Sequence, residues 1–450
     1  MMERTDVLVV GGSAAGVVAA TTAKATYPDK RVVLIRKDEL SLVPCGIPYV
    51  FGSLDSTAKN LMPNDALAKA GVELRIAEVV SIDQEAKTCH TAQGEEFAFD
   101  KLVIATGSEP VVPPWLPGTD LAGVYTIPKN KAYIDRALES LRSCRAVVTI
   151  GGGFIGVEMS DELNKQGIEV TLVEILPHIL GLAFDEEIAV LAQDILQTRG
   201  VNVKTGAGVK AITGEGRATG VLLDNGQEVP TEAVVLSVGY RPAAGLAAES
   251  GIELNERGSI KVDEYMRTQN PDIFAVGDCA EKRDFTTRKL SSVMLASTAT
   301  SEARVAGMNL YRLSAVKTFS GTIAIWSTGL GEHGFGCAGL TERAAREEGF
   351  DVVTGMFEGI DKHPGTLPGA HKQLVKLVAA SDSGVILGGQ VAGGPSAGEL
   401  TNLIGLAIQN RMVANSLVTA QIGTHPLLTA PPTAYPVIKA AEQVLRKMSA

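Results

Sequence analysis

Residues 146–160, AVVTIGGGFIGVEMS, set an unbroken apolar run directly against three glycines and a small-residue helix. A run of branched residues without polar alternation reads as a strand buried on both faces, as in a parallel sheet. Gly151, Gly153 and Gly156 then complete a G-x-G-x-x-G turn, with Phe154 and Ile155 between the second and third glycines. Glycine permits the tight turn and the close approach of a pyrophosphate, whose charge is stabilised at the helix N-terminus. Residues 6–20, DVLVVGGSAAGVVAA, repeat the design with Gly11, Gly12 and Gly16, but Ser13 takes the middle position, followed by Ala14 and Ala15. One such turn is weak evidence, since turns before helices are often glycine-rich. Two copies, each between a predicted strand and helix, predict an α/β chain with two Rossmann-like dinucleotide-binding domains.

Each copy pairs with a second strand downstream. GIEVTLVE ends at Glu174, where a carboxylate can accept both ribose hydroxyls of an adenosine and repel a 2′-phosphate, favouring NADH over NADPH. KRVVLIR ends at Arg36, followed by Lys37, where a carboxylate is expected. Arg36 reads either as a stack on adenine or a phosphate partner, or as a solvated strand end. Two more strands end in glycine turns: LVIATGSEP (102–110), with Ala105, Thr106 and Gly107, and VVLSVGYRP (234–242), with Gly239. TQNPDIFAVGDCA (268–280) sets Gly277 and Asp278 after a third, where Asp278 can hydrogen-bond a ribityl or ribose hydroxyl and a following helix start is expected to face a phosphate.

With 450 residues, two or three domains are expected, and 45% apolar residues with 48 glycines describe a turn-rich globular protein. The net charge of −10 argues against nucleic-acid binding. No signal-peptide h-region opens the sequence, and no stretch approaches the roughly 20 apolar residues of a membrane span, so a cytoplasmic protein is expected. The five cysteines are scattered, odd in number and never C-x-x-C, which fits a reducing compartment without a disulfide framework or a metal site. Cys45 stands apart from the other four. In SLVPCGIPYV (41–50) it sits at a chain break between Pro44 and Gly46, where backbone N–H groups are expected to be free.

Taken in order, VVGGSAAG, ATGSEP, GGGFIGVE, SVGYRP and FAVGD resemble the FAD-dependent pyridine nucleotide–disulfide oxidoreductases. GLTERAAREEG and THPLLTAPPTAYP resemble that family's dimerisation domain. The resemblance implies a FAD domain of residues 1–111 and 243–315, an NAD(P) domain of 112–242 and an α+β interface domain of 316–450, assembled as a homodimer. PCGIPY resembles the single-cysteine branch: coenzyme A disulfide reductases, NADH oxidases and peroxidases, and persulfide or polysulfide reductases. Val50 stands where the two-cysteine branch keeps its second thiol.

The resemblance places Cys45 beside the flavin, and free N–H groups at a helix start by Gly46 and Pro48 are expected to lower its pKa. NADH would reduce FAD, and FAD would pass two electrons to a disulfide, persulfide or polysulfide engaged by Cys45. Glu158 is implied near the nicotinamide, Pro44 beside the flavin, and His425 as an acid lent across the dimer, though the glutamate that would orient it is Ala430. Ala14 replaces the histidine of peroxidases. Coenzyme A remains a candidate ligand, weakened by Pro44, by Lys24–Ala25 in place of two arginines, and by Thr429 in place of a tyrosine. The alternatives are a flavoprotein subunit passing electrons from NADH to a protein or quinone, and an NADH oxidase using O2. Cys89, Cys144 and Cys279 read as packing residues, and Cys337 as packing or a second thiol.

Overall fold

The structure, a computed structural model, describes residues 2–313 and 318–449. The junction expected at 315/316 lies outside the described residues.

The first sheet is built around strand Met2–Val10, in the order 73–76, 32–36, 2–10, 96–104, 88–91, 79–83, with Ile273–Ala275 also pairing Glu96–Ile104. The pairings among 73–76, 32–36, 2–10, 96–104 and 273–275 are parallel. Parallel strands all end on one edge, which explains why motifs far apart in sequence meet. The strands ending at Val10, Ile104 and Ala275 deliver Gly11, Ala105–Gly107 and Gly277–Asp278 to the same edge.

The second sheet, in the order 202–204, 169–173, 146–150, 233–236, 124–125, does the same for Gly151, Glu174 and Gly239. The chain crosses between the two units through an antiparallel pair, Ser108–Pro110 with Tyr240–Pro242. A third, antiparallel sheet, 326–330, 333–339, 386–393, 372–380, 352–360, carries helices Ala397–Gln409 and Pro436–Met448 on an aliphatic core.

One core cluster joins these parts. Leu42, Ile47, Val50 and Phe51, which flank Cys45, pack with Val157, Met159 and Leu163 of helix Phe154–Lys165 and with Phe335 of the third sheet. Glu162 of that helix, almost fully buried, accepts the Ser53 N–H at 2.5 Å and the Ser53 hydroxyl at 3.0 Å. The cysteine segment is thereby fixed against the second glycine helix. Among the described residues, no helix is long and apolar enough to cross a membrane.

Candidate active site

The two glycine turns have one construction. Gly11 (φ +114°) and Gly151 (φ +105°) lie in the left-handed region, where a Cβ would come within 2.1 Å of the Ala105 carbonyl oxygen and 2.5 Å of the Ser237 carbonyl oxygen. Side chains are excluded at both on conformational and steric grounds. The helices that follow, Ala14–Thr26 and Phe154–Lys165, begin at Ser13 and Gly153 with no side-chain cap and no acidic residue in the first turn. By contrast, helix Lys131–Arg142 is capped by Asn130, whose Oδ1 accepts the Tyr133 N–H at 2.9 Å. Uncapped starts after glycine turns leave N–H groups for an anion, which is the chemistry of a dinucleotide pyrophosphate.

Glu174 is largely buried at its strand end. Its oxygens accept the Gly152 N–H at 2.5 Å and the Leu176 N–H at 2.7 Å, which holds the carboxylate beside the second turn. Arg36 is no solvated strand end. It is 6% exposed, lies under Gly12, and donates to the carbonyls of Asp38 (2.9 Å) and Glu39 (2.5 Å) and to Asn64 Oδ1 (2.7 Å). Its guanidinium braces the segment leading to Cys45. Lys37 is exposed. Gly107 (φ +76°) and Gly239 (φ +109°) close their turns, and the Thr106 hydroxyl donates to the Ala243 carbonyl at 2.6 Å.

Asp278 Oδ2 accepts from Ser108 Oγ at 2.7 Å and Lys129 Nζ at 2.9 Å. Burial pushes this carboxyl up, but Lys129, the Ser108 hydroxyl and the charge of Lys282 together outweigh it and hold the group below its ordinary value. The helix expected directly after Asp278 is absent. The chain turns at 278–280, and the next helix is Ala296–Asn309.

The Cys45 segment also departs from expectation. Pro44–Gly46 and Pro48–Phe51 are short 3₁₀ turns rather than a helix start. Gly46 N–H is bonded to the Val43 carbonyl (3.0 Å) and Ile47 N–H to the Pro44 carbonyl (3.2 Å), so these amides are not free to stabilise a thiolate. Solvent reaches Cys45, yet the protein behind it desolvates the sulfur enough to push the thiol above its ordinary value. Glu158 adds to that rise and Lys129 opposes it. Of the backbone groups in this segment only the N–H of Cys45 itself favours the thiolate, and it does not offset the burial.

Glu158 is joined to a residue no motif contained. Its Oε1 accepts from Thr328 Oγ1 of the third sheet at 2.9 Å, and Tyr49 of the Cys45 segment lies beside the same carboxyl. Burial outweighs the pull of Thr328 and Tyr49 and, with Glu162 adding to the rise, leaves Glu158 at about 7. A carboxyl raised from 4.5 to about 7 on folding stabilises the fold fully below pH 4.5, and the contribution is lost as pH rises through 7. Glu158→Gln, which stays neutral, is therefore expected to be more stable than the wild type at pH 8, by on the order of 2 kcal/mol, and to match it near pH 4. Thermal unfolding across pH 4–8 measures this, and parallel pH curves for the two proteins would refute it.

Phe154, which opens the second glycine helix, stacks on Trp326 with ring centroids 4.8 Å apart and planes 11° from parallel. His425 is exposed, with its backbone N–H bonded to Thr429 Oγ1 (2.9 Å) and its Nδ1 accepting the Leu427 N–H (3.3 Å), all within its own loop. Lys24 donates to the carbonyls of Pro28 (2.9 Å) and Lys30 (2.8 Å) at the end of its own helix, which further weakens a coenzyme A role. Cys337 is fully enclosed and its thiol is pushed far up by burial, so it packs.

The pyridine nucleotide-disulphide oxidoreductase family model matches residues 5–303, and the model of that family's dimerisation domain matches 330–435. This chain belongs to the pyridine nucleotide–disulphide oxidoreductases. It is 30% identical over 437 residues to an NADH oxidase of Enterococcus faecalis, covering 94% of this chain and 96% of that one. It is 33% identical over 398 residues to an NAD(P)H coenzyme A polysulfide/persulfide reductase of Pyrococcus horikoshii, covering 87% and 88%. Among solved structures, an NAD-dependent persulfide reductase from A. fulgidus superposes with a TM-score of 0.89 at 29% identity, covering 99% of this chain and 84% of that one.

As a pyridine nucleotide–disulphide oxidoreductase the chain is an enzyme that works with FAD and NAD(P)H. The two uncapped helix starts and the acidic groups at Asp278 and Glu174 fit those dinucleotides.

Proposed function

We propose that the protein is a FAD-containing, NADH-dependent reductase of disulfide, persulfide or polysulfide sulfur, working as a homodimer with Cys45 as its redox sulfur. One observation carries the reading: of the five cysteines Cys45 alone is exposed, while Cys89, Cys144, Cys279 and Cys337 are buried. A thiol that must meet an external sulfur compound has to be reachable, and the other four are not.

In this reading the Gly11–Gly16 turn and the Asp278 carboxylate hold FAD, with Ala105–Gly107 along the same edge. Gly151–Gly156 and Glu174 hold NADH. The chemistry supplied by bound FAD is a two-electron relay from the nicotinamide to sulfur. Cys45 Sγ attacks a sulfur–sulfur bond of the acceptor, keeps one sulfur as a mixed disulfide or persulfide, and releases the other as a thiol or sulfide. Lys129, bonded to Asp278, is the nearby cation favouring the thiolate of Cys45. Glu158, with a value near 7, can hold or give up a proton beside Tyr49. His425 serves as an acid only if the dimer brings it to the partner's site.

An NADH oxidase is the second reading, favoured by the Enterococcus faecalis relative of that name. Anaerobic NADH oxidation with polysulfide, coenzyme A disulfide or a quinone, each compared with O2 alone, tests the choice. Polysulfide is expected to give the highest kcat/KM, and NADH to exceed NADPH by about tenfold or more through Glu174. If O2 outpaces every sulfur acceptor, the oxidase reading replaces the reductase.

A further inference from the structure

The turn carrying Asp278 is gripped from behind by two buried ionisable side chains that lie in none of the sequence motifs. Glu302, on helix Ala296–Asn309, has 0% exposure, and its Oε2 accepts the Gly277 N–H at 2.7 Å. Lys282 has 5% exposure, and its Nζ donates to the Gly277 carbonyl at 3.0 Å and the Ala280 carbonyl at 2.9 Å. Both backbone polar groups of one glycine are therefore held by buried side chains, one acidic and one basic.

Gly277 also packs closely against the first glycine helix, which belongs to the other piece of the first unit. Its φ is +79°, and a Cβ there would lie 2.9 Å from the Ala15 Cβ in the first glycine helix. As a device for stability the pair is poorly built. Lys282 Nζ stands 3.9 Å from Glu302 Oε1, and that oxygen takes no hydrogen bond among the described residues. A buried ion pair with an unmet oxygen seldom outperforms an apolar pair of the same size. What this pair does accomplish is geometric, because it fixes Gly277, the residue before Asp278, by hydrogen bonds to both its N–H and its carbonyl.

We propose that Glu302 and Lys282 are positioning residues for FAD: together they clamp the Gly277 backbone and so hold the Asp278 carboxylate where a flavin hydroxyl must meet it. The inference rests on the reading that Asp278 receives FAD.

The test uses the purified holoenzyme and three variants. FAD dissociation is measured after dilution, and the temperature of FAD release is compared with that of global unfolding. Glu302→Leu with Lys282→Met removes both grips and leaves no unpaired buried charge. It is expected to raise the FAD dissociation constant at least about tenfold and to release FAD well below its unfolding temperature, with NADH affinity within about twofold of wild type. Glu302→Gln keeps an acceptor for the Gly277 N–H and is expected to stay within about threefold. If the double variant does not fold, Lys282→Met alone decides, with an expected rise of about fivefold. Wild-type FAD affinity in a folded variant lacking a grip would overturn the proposal, as would FAD release that only follows global unfolding. Failure of the wild type to hold FAD at all would instead remove the functional reading beneath it.

Discussion

Cys45→Ser is expected to lower the turnover of polysulfide, persulfide and disulfide acceptors at least about 10³-fold, while NADH still bleaches the flavin at close to the wild-type rate. The asymmetry follows from the geometry. In the proposed reading the nicotinamide side is built by the second glycine turn, Glu174 and Glu158 with Thr328 and Tyr49, and none of these hydrogen-bonds through Cys45. The serine oxygen is a poor nucleophile toward sulfur and cannot store two electrons as a mixed disulfide. Packing is little affected because the residue is exposed and its segment is anchored by the buried Leu42, Ile47, Val50 and Phe51. Stopped-flow flavin reduction by NADH, with steady-state assays on each acceptor, separates the two half-reactions. Turnover unchanged for every acceptor would assign the protein to electron transfer, with Cys45 incidental. Turnover lost with sulfur acceptors but kept with a quinone or O2 is the outcome the reductase reading requires. Cys337→Ser serves as the control, since its sulfur is sealed in a strand of the third sheet and should affect stability alone.

Much of this site was legible in the sequence because parallel strands turn local patterns into shared location. Once DVLVV, KLVIA and DIFAV are read as neighbouring strands, Gly11, Ala105 and Asp278 must meet at one edge. The same holds for Gly151, Glu174 and Gly239. What sequence reading missed depends on contacts between distant elements with no periodic signature. Thr328 meets Glu158, Lys129 meets Asp278 and Glu302 meets Gly277, each pair drawn from different elements of the fold. Two local readings failed for a physical reason. GDCA looks like a helix start, but the residues after it, EKRDFTTRKLSSV, lack a helical apolar period, and the helix waits until Ala296. Around Cys45 the prolines suggested open amides, whereas 3₁₀ turns close them with bonds three residues back. The acidity of the thiol is thus set by burial, Glu158, Lys129, Asp278 and the N–H of Cys45 itself, most of which PCGIPY alone does not contain.

Gly153→Val is expected to raise the KM for NADH at least about 30-fold while leaving flavin content and melting temperature close to wild type. Its value lies in what the glycine does not touch. A Cβ at Gly151 would press on the Ser237 carbonyl oxygen at 2.5 Å, so any variant there confuses folding with binding. At Gly153 a Cβ would meet no atom within 4 Å, and the backbone, at φ −74° and ψ −177°, is one that valine adopts without strain. A loss of function there therefore reports on something outside the chain. The first turn carries Ser13 at the equivalent position, so a single Cβ can be accommodated beside a pyrophosphate, and alanine would be too mild a probe. Valine adds two methyl groups at the uncapped start of helix Phe154–Lys165, where the proposed NADH site puts the pyrophosphate. Loss of the glycine as N-cap costs the helix about 1 kcal/mol, too little to mimic the effect by unfolding. If the KM is unchanged in a folded, yellow protein, NADH does not approach the chain over this helix, and the second glycine turn is only a means of packing strand against helix.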